Sequence, residues 1–257
     1  MYTIITLPLI PLRASADECS ELASQLLFGE QVEIIETIDK WLYVRNLSDD
    51  YEGWIGNKTV NKKHFTENPI DTSTFASAKP AFLVCFKTSS VEKIILPGGS
   101  LLPKITNDQF ELLGEIYQLA QFEPVYSKKD PASLVIELAA QYFNAPYLWG
   151  GKSIFGIDCS GLVQTIFSMI GKKLPRDASQ QVEFGEVVDF LSEVKTGDLA
   201  FFENEEGKII HVGMLVNTHQ IIHASGYVKK EIIDAQGIIS SQTGEYTHKL
   251  RVIKRIL

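Results

Sequence analysis

Cysteine is scarce in this sequence: three residues in 257, Cys19, Cys85 and Cys159, far apart and without a C-x-x-C pair. That pattern excludes a disulfide framework and the common structural zinc sites, and free thiols suit a reducing compartment. No window holds the roughly 20 continuous apolar residues that span a bilayer, so no membrane partner is expected. Clustered positive charge is also missing: 24 Lys and Arg are dispersed among 32 Asp and Glu, for a net charge of -8. A nucleic-acid surface needs a concentrated basic field, so nucleic acid is not expected as a partner, and an acidic surface suits a cationic or zwitterionic ligand. No Pro/Gly-rich or single-charge tract interrupts a composition of 45% hydrophobic and 22% charged residues, which is that of a folded globular chain.

The amino terminus lacks the basic n-region of a secretory leader, and Pro8 and Pro11 break its apolar run. The expected location is therefore cytoplasmic, or periplasmic or secreted if a leader has been trimmed. No cofactor or metal is implied, and the expected state is a monomer or weak oligomer.

The length predicts two or three small units. Up to about Val60 the chain shows short β-rich runs, Gln31-Val-Glu-Ile-Ile-Glu36 and Trp41-Leu-Tyr-Val-Arg45, separated by polar turns such as Ser48-Asp-Asp50. Pro11-Leu-Arg13, Ser15, Leu26, Gly29-Glu30, Trp41 with Val44, and Gly53-Trp-Ile55 resemble the bacterial SH3-like domain, which assigns residues 1–66 to such a barrel. Residues 75–127 repeat the strand lengths, in Ala81-Phe-Leu-Val-Cys-Phe86, Lys93-Ile-Ile-Leu96 and Phe110-Glu-Leu-Leu-Gly114, without the Gly-Trp signature. They read as a degenerate second SH3-like domain, or as a β-extension of the first. The Asn-, Ser-, Thr- and Pro-rich stretch 66–79 reads as a linker between them.

After Tyr126-Ser-Lys-Lys-Asp-Pro131 the pattern turns helical: Leu134, Val135, Leu138, Ala139 and Tyr142 share one face, Asp130 can cap, Pro131 suits the first position, and Asn144-Ala-Pro146 ends the run. Strand-like runs follow at Leu199-Ala-Phe-Phe202, His211-Val-Gly-Met-Leu-Val216, Gln220-Ile-Ile-His-Ala224 and Leu250-Arg-Val-Ile253. Helices followed by antiparallel strands define an α+β domain over 131–257.

Within it, Asp158-Cys-Ser-Gly161 precedes the apolar helix Leu162-Val-Gln-Thr-Ile-Phe-Ser-Met-Ile170, which puts Cys159 at a helix start where the macrodipole favours a thiolate. A thiol needs a base, and the candidates are His64, His211, His219, His223 and His248. His211 opens an apolar strand, and His223 falls on the neighbouring strand if the two form a hairpin, so that the second ring can orient the first. His219, in the turn Asn217-Thr-His-Gln220, and His248, near the carboxyl end, read as surface residues. A zinc site of Cys159, His211 and His223 is a competing reading, but it would need a fourth ligand.

Asp-Cys-Ser-Gly-Leu-Val-Gln from Asp158, His-Val-Gly-Met from His211 and Ile-His-Ala-Ser from Ile222, with Leu174-Pro-Arg-Asp-Ala-Ser179 and Thr196-Gly-Asp-Leu199 between them, resemble the NlpC-type cysteine peptidases. The resemblance covers about half the chain, Pro131 to Leu257, and implies a papain-like core with a Cys159, His211, His223 triad. The implied fold class is multidomain, with N-terminal all-β SH3-like barrels followed by an α+β papain-like cysteine peptidase.

It further implies that Asp158 and Ser160 frame the substrate and oxyanion site, where helix capping is the competing role, and that Tyr147 and Trp149 line the groove, where core packing competes. Relatives that combine SH3-like domains with this peptidase read a free peptide amino terminus. Asp177 matches the acidic position of that pocket, with capping of the following helix as its alternative, and the barrel would add Tyr51 and Glu30. The implied partner is a murein-derived peptide. The implied reaction is hydrolysis of the bond between γ-D-Glu and a diamino acid, in peptide recycling. An exported hydrolase anchored to intact murein, or a non-catalytic wall-peptide binder, are the alternatives.

Overall fold

The computed structural model describes residues 1–120 and 130–257, which fall into two compact units. The reading of a domain boundary at Tyr126–Lys129, and the end of the proposed second barrel, lie outside the described residues. No helix among the described residues is long and apolar enough to cross a membrane.

The first unit holds residues 1–120 together with 149–154. Its larger sheet contains β1 (Tyr2–Ile4), β2 (Leu9–Arg13), β3 (Leu22–Leu27), β4 (Gln31–Ile38), β5 (Trp41–Asn46) and β6 (Glu52–Gly56), in the order β1-β4-β5-β6-β2-β3. Alternating residues of these strands, including Ile10, Leu12, Leu26, Val32, Leu42, Val44 and Ile55, close one apolar core. The Gly-Trp signature has a packing cause: a Cβ on Gly53 would lie 2.8 Å from both the Arg13 carbonyl oxygen and the Leu12 side chain.

Further along come β7 (Ala76–Ser77), β8 (Phe82–Lys87), β9 (Lys93–Pro97), β10 (Leu101–Leu102), β11 (Gln109–Leu112) and β12 (Glu115–Leu119). β7 pairs with β10, and the others form a sheet in the order β11-β12-β8-β9. This second β region shares its core with the first. Ile4 and Phe28 sit among Leu83, Cys85, Leu96, Phe110 and Tyr117, and the Phe28 ring meets Tyr117 edge-on at 5.4 Å. Residues 66–79, expected as a linker, are held down: the Gln31 side chain bonds both backbone groups of Ile70, and Phe75 packs on the shared core. The short strand β13 (Lys152–Ser153) also belongs to this unit.

The second unit holds residues 130–148 and 155–257. α1 (Pro131–Ala140) begins as its sequence dictates, with Pro131 in the first turn and the Asp130 side chain accepting the Ser133 N–H at 3.0 Å. After β14 (Gly156–Ile157) come α2 (Cys159–Met169), α3 (Ala178–Gln181) and β15 (Glu186–Val188). The rest is β16 (Leu199–Glu203), β17 (Ile209–Asn217), β18 (Gln220–Ser225), β19 (Tyr227–Ile233), β20 (Gly237–Ile239) and β21 (Tyr246–Arg255). These strands follow one another as antiparallel neighbours. β21 pairs with both β16 and β20, which closes the sheet into a barrel. Ala200, Phe202, Leu215, Ile221, Ile233 and Ile238 fill one face of it, while α2 packs on β17 and β18.

Candidate active site

α2 starts where it does because Asp158 caps it, its Oδ1 accepting the Gly161 N–H at 2.7 Å. The cap is held from behind by Arg176, which is fully buried and forks onto Asp158 at 3.0 and 2.5 Å while its Nη1 also donates to Ser160 Oγ at 2.9 Å. Gln181 from α3 donates to the Ser160 carbonyl at 3.0 Å. Asp158 and Ser160 thus fix the start of the helix, and Cys159 is set as its first residue with 6% of its surface exposed.

Burial pushes the Cys159 thiol up to about 11, the neighbouring Asp158 charge adding to this, against the Val212 and Ser160 backbone N–H groups and Arg176, which pull it down. Desolvation thus outweighs the pull of the helix start toward a thiolate. The thiol rests protonated and needs a base.

The sulfur's bond from Val212 N–H puts it against β17, next to His211. His211 and Leu215 share a face of β17, as do Ile221 and His223 on β18, so the two rings extend the barrel's core layer. His211 Nε2 meets His223 Nδ1 at 2.9 Å, with ring planes 85° apart, which leaves His211 Nδ1 for the thiol. Gly213 makes the hairpin possible, since a Cβ there would come within 2.9 Å of the His223 Cβ. Burial, followed by the charges of His248, His223 and Lys229, holds His211 well below its ordinary range, so its ring is neutral at pH 7.

Two residues here were missed or misread in the sequence. Glu231, on β19, is buried and accepts from His223 Nε2 at 2.9 Å. Nothing in its local sequence marks it; only the pairing of β18 with β19 brings it below the second histidine. His248, expected at the surface, is a correction. β21 closes the barrel and lays its ring on His211, with centroids 4.1 Å apart, and burial holds it down to about 4. The same ring walls a cavity of about 850 Å³ with Phe202, Ile210 and Tyr246. His64 lies in a 3-10 turn of the first unit, and His219 is exposed in the β17–β18 turn.

His211, His223 and His248 each offer a ring nitrogen within 4.8 Å of the others, a spacing that a transition-metal ion could draw together. The contact of His211 with His223 is already a hydrogen bond, so a metal would have to displace the relay.

Tyr147 is half-buried, and burial followed by the charges of Cys159 and Asp158 pushes its phenol up to about 12, which puts it beside the nucleophile. Asp177 precedes α3 in a capping box, where its N–H donates to the Gln180 side chain at 3.3 Å. Trp149, Tyr51 and Glu30 belong to the first unit. Trp149 is exposed and donates from Nε1 to Glu21 at 2.6 Å. The Tyr51 ring packs on the first barrel's core. Glu30 is buried, with one oxygen on the Leu27 N–H at 2.7 Å and the other 3.3 Å from the Lys152 ammonium.

A capped cysteine packed against a strand that carries a two-histidine relay defines a papain-like cysteine peptidase. The NlpC/P60 family model matches residues 144–254, and that of the bacterial dipeptidyl-peptidase SH3 domain matches residues 12–59. A gamma-D-glutamyl-L-lysine dipeptidyl-peptidase of Bacillus subtilis is 34% identical over 220 residues, 79% of this chain and 72% of that protein. A murein DD-endopeptidase/murein LD-carboxypeptidase of Escherichia coli is 33% identical over 143 residues, 52% of this chain and 70% of that protein. The crystal structure of an NlpC/P60 family protein from Bacillus cereus superposes with a TM-score of 0.83 at 20% identity, covering 100% of each chain. The chain belongs to the NlpC/P60 family. It is a cysteine peptidase with an N-terminal SH3-like all-β region.

Proposed function

We propose that the protein cuts the amide bond between γ-D-Glu and a diamino acid in murein-derived peptides with a free amino-terminal L-Ala. The observation that carries the chemistry is the 2.9 Å contact of His211 with His223 beside Cys159, and the relatives' names supply the substrate class. In this reading His211 Nδ1 takes the thiol proton as sulfur attacks the γ-carbonyl carbon. The proton then passes from His211 to the leaving amine, and water, deprotonated by the same nitrogen, releases the acyl group from its thioester. In the first turn of α2, Ser160 N–H serves the sulfur and Gly161 N–H serves Asp158, so the Cys159 N–H is the donor for the oxyanion. One such donor contributes about 3 kcal/mol.

Selection of a free amino terminus is the role proposed for Asp177, with Tyr147 as a groove wall beside Cys159. A carboxylate is the natural partner of an ammonium. Wall peptides still joined to glycan have that amine acylated, so this selectivity favours recycling of released peptides inside the cell, with 1–66, 75–127 and 131–257 as the working domains.

The test is to offer purified protein L-Ala-γ-D-Glu-L-Lys and its N-acetyl form. Cleavage of the free peptide alone is expected; equal cleavage of both removes amine reading. Recovery of the native protein from a periplasmic or culture fraction would overturn the recycling role.

A further inference from the structure

We propose that Glu231 is a positioning residue that sets the direction of the whole proton relay, so that His211 presents a lone pair, rather than an N–H, to Cys159. The inference rests on the Cys159–His211 chemistry proposed above and follows from donor and acceptor counting.

A carboxylate can only accept. Glu231 Oε2 lies 2.9 Å from His223 Nε2, so that nitrogen carries hydrogen. In a neutral imidazole the other nitrogen is then a lone pair, and His223 Nδ1 must accept across its 2.9 Å contact from His211 Nε2–H. His211 Nε2 being protonated, its Nδ1 is the unprotonated base. One carboxylate thus fixes two tautomers in series, and the imidazolium formed when the thiol proton moves is stabilised along the same line.

The carboxylate is itself held. Its other oxygen accepts from the Ser241 N–H at 2.9 Å and from the Ser241 hydroxyl at 3.0 Å, and the Lys229 ammonium stands 3.4 Å away. Glu231 and His223 are both buried, so neither can exchange its partner for water. Ser241 also decides what a neutral replacement would do. In Glu231→Gln the Ser241 N–H, which can only donate, retains the carbonyl oxygen and turns the amide NH2 toward His223 Nε2. That nitrogen must then be the lone pair, both tautomers reverse, and His211 meets the thiol with an N–H.

The experiment compares wild type, Glu231→Gln and Glu231→Asp. Nitrogen-15 NMR of the imidazoles needs no substrate, and is expected to show His211 protonated at Nε2 in wild type and at Nδ1 in Glu231→Gln. On L-Ala-γ-D-Glu-L-Lys, kcat should fall about 10^3-fold or more in Glu231→Gln with KM little changed, by analogy with tautomer reversal in serine-protease triads. Glu231→Asp, which keeps the charge, should recover part of the loss. An unchanged His211 tautomer in Glu231→Gln, with both folds intact by circular dichroism, overturns the proposal. If the tautomer reverses as expected but wild type does not cut the peptide, the substrate reading fails and the relay stands.

Discussion

His248 stacks on His211 with ring centroids 4.1 Å apart and planes 29° from parallel. Two imidazoles in that contact cannot both be charged without repulsion. Burial, followed by the charge of His223, keeps His248 down to about 4, and burial, followed by the charge of His248, keeps His211 well below 6.5.

The consequence for stability has a definite sign. The unfolded chain takes up these protons near 6.5, whereas folded His248 does so only near 4, so between those values the unfolded state binds more protons and stability rises with pH. Urea midpoints are therefore expected to fall from pH 7.5 to pH 5, and the fall should be shallower in His248→Phe. A midpoint independent of pH over that range would contradict the neutral stack.

Thiol reactivity follows from the burial of Cys159, which pushes it up to about 11. Alkylation by iodoacetamide, followed on the Cys159 peptide by mass spectrometry because Cys19 is exposed, should be slow at pH 7 and climb steadily toward pH 11. A plateau beginning near pH 6 would instead reveal a preformed thiolate–imidazolium pair.

The Lys152–Glu30 ion pair is buried on both sides. Removing one partner leaves a desolvated charge, so Lys152→Met should cost about 3 kcal/mol in urea denaturation. The double variant with Glu30→Gln should regain much of that loss. Equal stability of Lys152→Met and wild type would show that water reaches Glu30.

What the sequence carried was what is local. Asp130 and Pro131 announce α1, the Asp158 cap places Cys159, and the spacing of His211 and His223 matches a hairpin whose paired strands juxtapose the rings. Contacts that depend on barrel closure were not legible. His248 comes to His211 only because β21 returns to pair with both β16 and β20, far from its sequence neighbours. Glu231 sits in a strand whose burial alternates, and its inward direction is set by pairing with β18. Arg176 was visible within Leu174-Pro-Arg-Asp177, yet its burial against Asp158 was not, since an arginine is almost never buried without a partner.

The most direct test of the thiol–imidazole chemistry is the release of lysine from L-Ala-γ-D-Glu-L-Lys by wild type, Cys159→Ala and His211→Ala at matched concentration. Wild type is expected to release lysine and each variant to lose at least about 10^3-fold, with both variants still folded. Undiminished release by Cys159→Ala, or none by wild type, would contradict a Cys159 nucleophile acting on this peptide.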